Sequence, residues 1–196
     1  MIDLPTSPAP RAIAWVPVDF GGMQKSALGG STQRINRLGN RWALGVTMPV
    51  LEADEAERWA ADLTRGLREG VRLTLVQPDM PTGSPGTVLV NGAAQSGTSL
   101  ICDGFNPGYV LRKGQFFSLL SGGRRYVHKI ATAQRVGASG EATLDIEPPL
   151  RVEPADDDTV ELGLPQIEGL LSAPQGWNYE PDRLARGFDF TIEEAR

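Results

Sequence analysis

The segment GFDFTIEEA, residues 187–195, limits the fold more than any other stretch of the chain. Phe188, Phe190 and Ile192 fall on one side of an extended backbone, and Asp189, Thr191 and Glu193 on the other. That two-residue period belongs to a strand with one buried face. So apolar a strand near a chain end must dock into a sheet to remove that face from water. Its partners are expected far upstream, in the first third of the chain. The best candidate there is RWALGVTM, residues 41–48, where Trp42, Leu44, Val46 and Met48 alternate with Arg41, Ala43, Gly45 and Thr47.

Between these strands lies one convincing helix, DEAERWAADLTRGLREG. Ala56, Trp59, Ala60, Leu63 and Leu67 recur at three- and four-residue steps and form a single stripe. The spacing predicts a helix over 54–69, capped by Asp54 with Glu57 three positions on, and ended by Gly70. Arg65 and Glu69 are placed to pair across one turn. RLTLV then returns as a strand with Leu73 and Leu75 inward. The 23 glycines and 15 prolines in 196 residues favour many turns and short strands over further long helices.

Composition shifts at PDMPTGSPGT, residues 78–87, and again near RVEPADDDTVELGLP, residues 151–165, so both read as crossings between modules. Between them, GTVLV, SLICD, YVLR, QFFSLL, RRYVHKIA and ATLDIE are short strand-like runs punctuated by turns. Their number and spacing suit a small barrel. The expected organisation is mainly β with one amphipathic helix. Residues 1–83 with 165–196 form a sandwich-like β domain, and 84–164 form an inserted β-barrel. The proline-rich start, MIDLPTSPAP, reads as an extended arm, and GGMQKSALGGS, residues 21–31, as a flexible loop or long hairpin.

Several classes of function lose support. A formal net charge of −5 argues against a nucleic-acid partner. No apolar run approaches the roughly 18 residues that cross a bilayer, and the start lacks the basic and apolar regions of a secretion signal. The single cysteine, Cys102, sits in an apolar run and reads as a buried thiol. The single histidine, His128, shares a strand face with Tyr126 and Ile130 and has no evident catalytic partner. Ser121, Gly122 and Gly123 make the turn before it. Asp156, Asp157 and Asp158 lack calcium-loop spacing and read as a solvated turn. Ser96 and Ser99 lack a nucleophile elbow, and the glycine clusters lack a phosphate-binding pattern. No catalytic residue, cofactor or metal site is expected. What remains is a short set of ligand or interface candidates. Arg124 and Arg125 could grip an anion or form a hairpin tip. Trp177 and Tyr179 are either a ligand platform or a plug at the end of the sheet, and Tyr109 is a further aromatic candidate, in the inserted barrel.

Taken together, TSPAPRAIAW, RWALGVTMPVL leading into the acidic helix, the closing GFDFTIEEA and the succession VNGAAQSGTSLICDGF, LRKGQFFSLLSGGRRYVHKI and GEATLDIEPPLR resemble the minor tail proteins of long-tailed bacteriophages and prophages. The nearest class is the distal tail protein. The resemblance implies a structural virion component, made in the host bacterial cytoplasm, that forms a hexameric ring from its two chain ends. It implies partners in the tail tube and the tail-tip hub, with the barrel projecting from the ring. It transfers no catalytic residue. The insertion is shorter than the carbohydrate-binding extensions of some relatives; a glycan-binding adhesin at the tail tip is the alternative, working through Tyr109, Trp177 or Tyr179.

Overall fold

The computed structural model describes residues 1–172 and 176–195, so residues 173–175 and 196 of the C-terminal segment lie outside the described residues. From the amino end come β1 (Ile2–Asp3), β2 (Ala12–Val18), β3 (Gly22–Gln24), β4 (Gln33–Ile35), β5 (Arg41–Thr47), β6 (Leu51–Glu52), helix α1 (Ala53–Glu69) and β7 (Val71–Thr74). The middle holds β8 (Gly86–Val90), β9 (Ser99–Phe105), β10 (Val110–Leu111), β11 (Phe116–Ser121), β12 (Arg124–Ile130), β13 (Gln134–Arg135), β14 (Ala142–Glu147) and β15 (Thr159–Glu161). The chain closes with β16 (Gln166–Ser172), β17 (Asn178–Tyr179), β18 (Leu184–Arg186) and β19 (Asp189–Glu194).

The terminal strand docks as its alternation demands. A six-stranded sheet runs β1-β7-β16-β19-β5-β2, and β19 lies antiparallel to β5 with Phe190 opposite Val46 and Ile192 opposite Leu44. Its other neighbour, β16, comes from only a short way upstream. Phe188, Phe190 and Ile192 are all buried, together with Leu44, Val46, Met48 and Leu73. Trp59 of α1 packs beside Phe190, with ring centroids 6.1 Å apart.

The helix forms where the stripe predicts, but two details differ. Its cap is Glu52, not Asp54, and the reciprocal partner is Glu55 at the third helical position. The helix starts two residues earlier than the acidic run suggests, directly after β6, so the box shifts by two residues. Leu67 is exposed, and Gly66 takes the buried position instead. A Cβ on Gly66 would sit 2.3 Å from Val71 Cγ1, so the missing side chain lets the last helical turn lie against β7.

The N-terminal arm is docked rather than free. Ile2 donates its N–H to Gly70 O and Leu4 to Arg72 O, and both side chains are buried. Two apolar side chains and a strip of sheet edge hold residues 2–4 in an extended strand, and the three prolines follow at 5, 8 and 10. The segment 21–31 lies on the long hairpin built by β3 and β4.

The middle strands close a barrel in the order β11-β12-β14-β9-β8-β15. Its sixth strand, β15, comes from TVE in the acidic stretch that reads as a boundary. YVLR supplies β10, which pairs with β13 outside the barrel. At the β11–β12 turn Gly122 and Gly123 take φ of 56° and 76°, the left-handed conformation that a two-residue hairpin requires. The barrel has its own apolar core, with Leu100, Phe117, Leu119, Ile130, Leu144 and Ile146 at its centre.

Barrel and sheet also share a core contact. Phe116 and Val127 belong to barrel strands, yet they pack in the apolar cluster of the sheet. Phe116 stacks on Trp15 at 3.9 Å and meets Trp42 edge-on at 5.5 Å. Gln77, three residues beyond the end of β7, exchanges two hydrogen bonds with the Phe116 backbone: its Oε1 accepts from the N–H and its Nε2 donates to the carbonyl. The inner face of the sheet is thus covered by α1 at one end and by the barrel at the other.

Candidate functional site

The glycine hairpin and its histidine can be judged first. His128 is fully buried in the barrel, stacked on Phe117 with centroids 5.6 Å apart. Its Nδ1 lies 2.8 Å from the Pro148 carbonyl, which can only accept, so Nδ1 carries the hydrogen and donates it. Nε2 is left as a buried lone pair with no partner among the described residues. Burial, and secondarily the nearby Arg151 cation, lower the imidazole pKa to about 4, against the opposing hydrogen bond to Pro148. The ring is therefore neutral near pH 7 and sealed from substrate. Arg124 is exposed on the turn and Arg125 half-buried beside it, opposite Ser121 and Leu120 of β11; they bracket the hairpin end.

The other candidates are largely committed to the fold. Cys102 is buried in the barrel core, and burial pushes its thiol up to about 12, so the nucleophilic thiolate is suppressed. Tyr109 donates its hydroxyl to the Thr82 carbonyl at 2.7 Å and accepts from Gln115 Nε2 at 3.0 Å. Trp177 stacks on Phe188 at 5.0 Å, nearly coplanar, against the end of the sheet core. Tyr179 remains half exposed, its hydroxyl near the Glu57 carboxylate. In the aspartate run, Asp156 accepts from the Gly92 N–H and Asp158 from the Ala155 N–H, so two of the three carboxylates organise turns. Among the described residues, no group of three His, Cys, Asp or Glu side chains converges where it could hold a metal ion. The five ligand or interface candidates are not brought together into one pocket.

A buried ionic cluster was not anticipated. Glu194, the last residue of β19, has its carboxylate between sheet and barrel. Oε2 accepts the Trp42 N–H at 2.7 Å; Oε1 accepts the Val127 N–H at 2.7 Å and Arg151 Nη2 at 2.7 Å. The guanidinium of Arg151 lies over the Tyr126 ring at 5.0 Å. Burial raises the Glu194 pKa above the ordinary carboxylate range, opposed by Arg151 and by the two backbone N–H groups. The neighbouring Glu193 pairs with Arg41, whose guanidinium rests over Phe20 at 4.8 Å. Both carboxylates are consumed structurally. Nothing here resembles an acid and base poised around a vacant reaction centre.

Two surfaces have no cover among the described residues. The outer face of the sheet carries Ala12, Ala14, Gly45, Thr47, Ser172 and Thr191, with the exposed carboxylate of Asp189 among them, around a cavity of about 490 Å³. Every residue from Gly22 to Leu38 is exposed, including Met23 at 66%, Leu28 at 98% and Leu38 at 66%. No helix among the described residues is long and apolar enough to cross a membrane. No protein-family model matches the sequence, and no curated protein matches it either.

Proposed function

We propose that the chain is a non-enzymatic structural component of a bacteriophage tail, most consistent with a distal tail protein that forms a ring joining the tail tube to the tip complex. The observation that carries this reading is the open outer face of a sheet assembled from both chain ends. Small side chains there allow a neighbouring surface to approach closely, and nothing within the described residues covers them. The chemically capable residues support the same reading by their employment: His128 and Cys102 are sealed in the barrel, and Glu194 is spent on cohesion.

In this reading the partners are further copies of the chain, six in the ring by the resemblance, with tube and hub proteins above and below. The site of action is the virion tail, after assembly in the host cytoplasm; neither nucleic-acid recognition nor membrane insertion is part of it. The adhesin alternative has less to draw on, because Tyr109 and Trp177 are engaged internally and leave Tyr179 as the exposed aromatic of the three. Electron microscopy of the purified chain tests the proposal directly. Rings with a central channel are expected; monomers at every concentration would overturn it, and selective binding on a glycan array would favour the adhesin.

A further inference from the structure

The hairpin β3–β4 is difficult to account for in an isolated molecule. Its strands have three residues each, pair only with one another, and carry no buried side chain. A two-stranded ribbon of this length is marginal in water, and ordering its residues costs roughly 1–2 kcal/mol each. It also holds four large apolar side chains in solvent: Met23, Leu28, Ile35 and Leu38. Such a ribbon becomes stable when its apolar side chains are covered.

Charge indicates what covers it. From Asp19 to Leu38 there are three cations, Lys25, Arg34 and Arg37, against the single carboxylate of Asp19, a formal +2 in a chain of net −5. Asp19 pairs with Arg34, and no ion pair engages Lys25 or Arg37 among the described residues. The opposite character gathers where α1 begins, beside the paired strands β6 and β18. Residues 52–58 and 180–186 together hold six carboxylates against three guanidiniums, a formal −3. Half-exposed Val50 and Tyr179 adjoin that pole and supply apolar surface.

The two surfaces do not meet within one copy: residues 22–38 are all exposed, and no ion pair joins them to the acidic pole among the described residues. The hairpin leaves the sheet beside Arg41, at the start of β5, and the acidic pole follows Thr47 at its end. Seven residues of strand separate them by about 20 Å. We propose that the hairpin of one copy docks on the acidic pole of the next. This deepens the ring reading and rests on it: a contact between two different surfaces is head-to-tail, and repeats around a closed ring when the rotation closes.

Charge reversal tests the contact. One variant carries Lys25→Glu and Arg37→Glu, a second carries Glu57→Lys and Asp182→Lys, and a third combines all four. Self-association is followed by sedimentation velocity near physiological salt, with circular dichroism as the check on folding. Each two-site variant is expected to associate at least about tenfold more weakly than the wild type. The four-site variant, and an equimolar mixture of the two-site variants, should recover association. Wild-type assembly with unchanged two-site variants would remove the hairpin from the interface and leave the ring reading intact. The same holds if the four-site variant and the mixture both fail to recover. A wild type that stays monomeric would defeat the ring reading itself.

Discussion

Glu194 shows how one residue joins the two halves of this molecule. The alternation Phe188, Phe190, Ile192 makes position 194 the next inward site, so a buried carboxylate was readable from parity alone. What it meets was not readable, because Trp42, Val127 and Arg151 are distant in the chain. Replacing Glu194 with Gln puts an N–H donor against a backbone N–H, since both carboxylate oxygens accept from one. A loss of ~3–5 kcal/mol in denaturant unfolding is expected, as for breaking a buried ion pair; a loss below ~1 kcal/mol would contradict the assigned cohesion. His128 sets a different response. Its pKa falls from 6.5 unfolded to about 4 folded, so the unfolded chain binds more protons between those values. Its contribution is therefore complete above about pH 6.5 and declines as pH falls toward 4, by on the order of 3 kcal/mol. The stability difference between wild type and His128→Leu should shrink or reverse over that window and stay constant above it.

Elements were legible where a period was long and clean, as in β5, β19 and α1. They were obscured where one contact outweighed the local pattern. Leu67 completes the helical stripe on paper, yet α1 presents Gly66 because β7 follows almost at once and Val71 presses on the last turn. Gly66→Ala sharpens this competition. Helix propensity favours alanine by ~1 kcal/mol, whereas a Cβ 2.3 Å from a fully buried Val71 methyl costs ~1–3 kcal/mol. The clash should win, giving a net loss of stability in thermal unfolding; a stabilised variant would mean the helix can shift outward. Similarly, the prolines of the arm conceal Ile2 and Leu4, and the aspartates before β15 conceal a barrel strand only three residues long.

At the scale of the whole molecule, the two apolar cores behave as one body because Phe116, Val127 and Glu194 straddle them. All four tryptophans, at 15, 42, 59 and 177, lie in the segments flanking the barrel, while Cys102 reports on the barrel interior. Tryptophan fluorescence and pulsed thiol labelling of Cys102 should give coincident denaturation midpoints. Labelling at clearly lower denaturant would show the barrel opening alone. The candidate surfaces were the least legible part of the sequence, since a ligand platform and a structural plug use the same aromatic residues and differ only in what lies behind them.

One edge of the sheet has a consequence for how copies avoid one another. β2 is the outermost strand, and Pro17 within it cannot donate a backbone hydrogen bond to an incoming chain. Indiscriminate lateral growth into fibrils is thereby discouraged at that rim, leaving association to surfaces whose extent is finite.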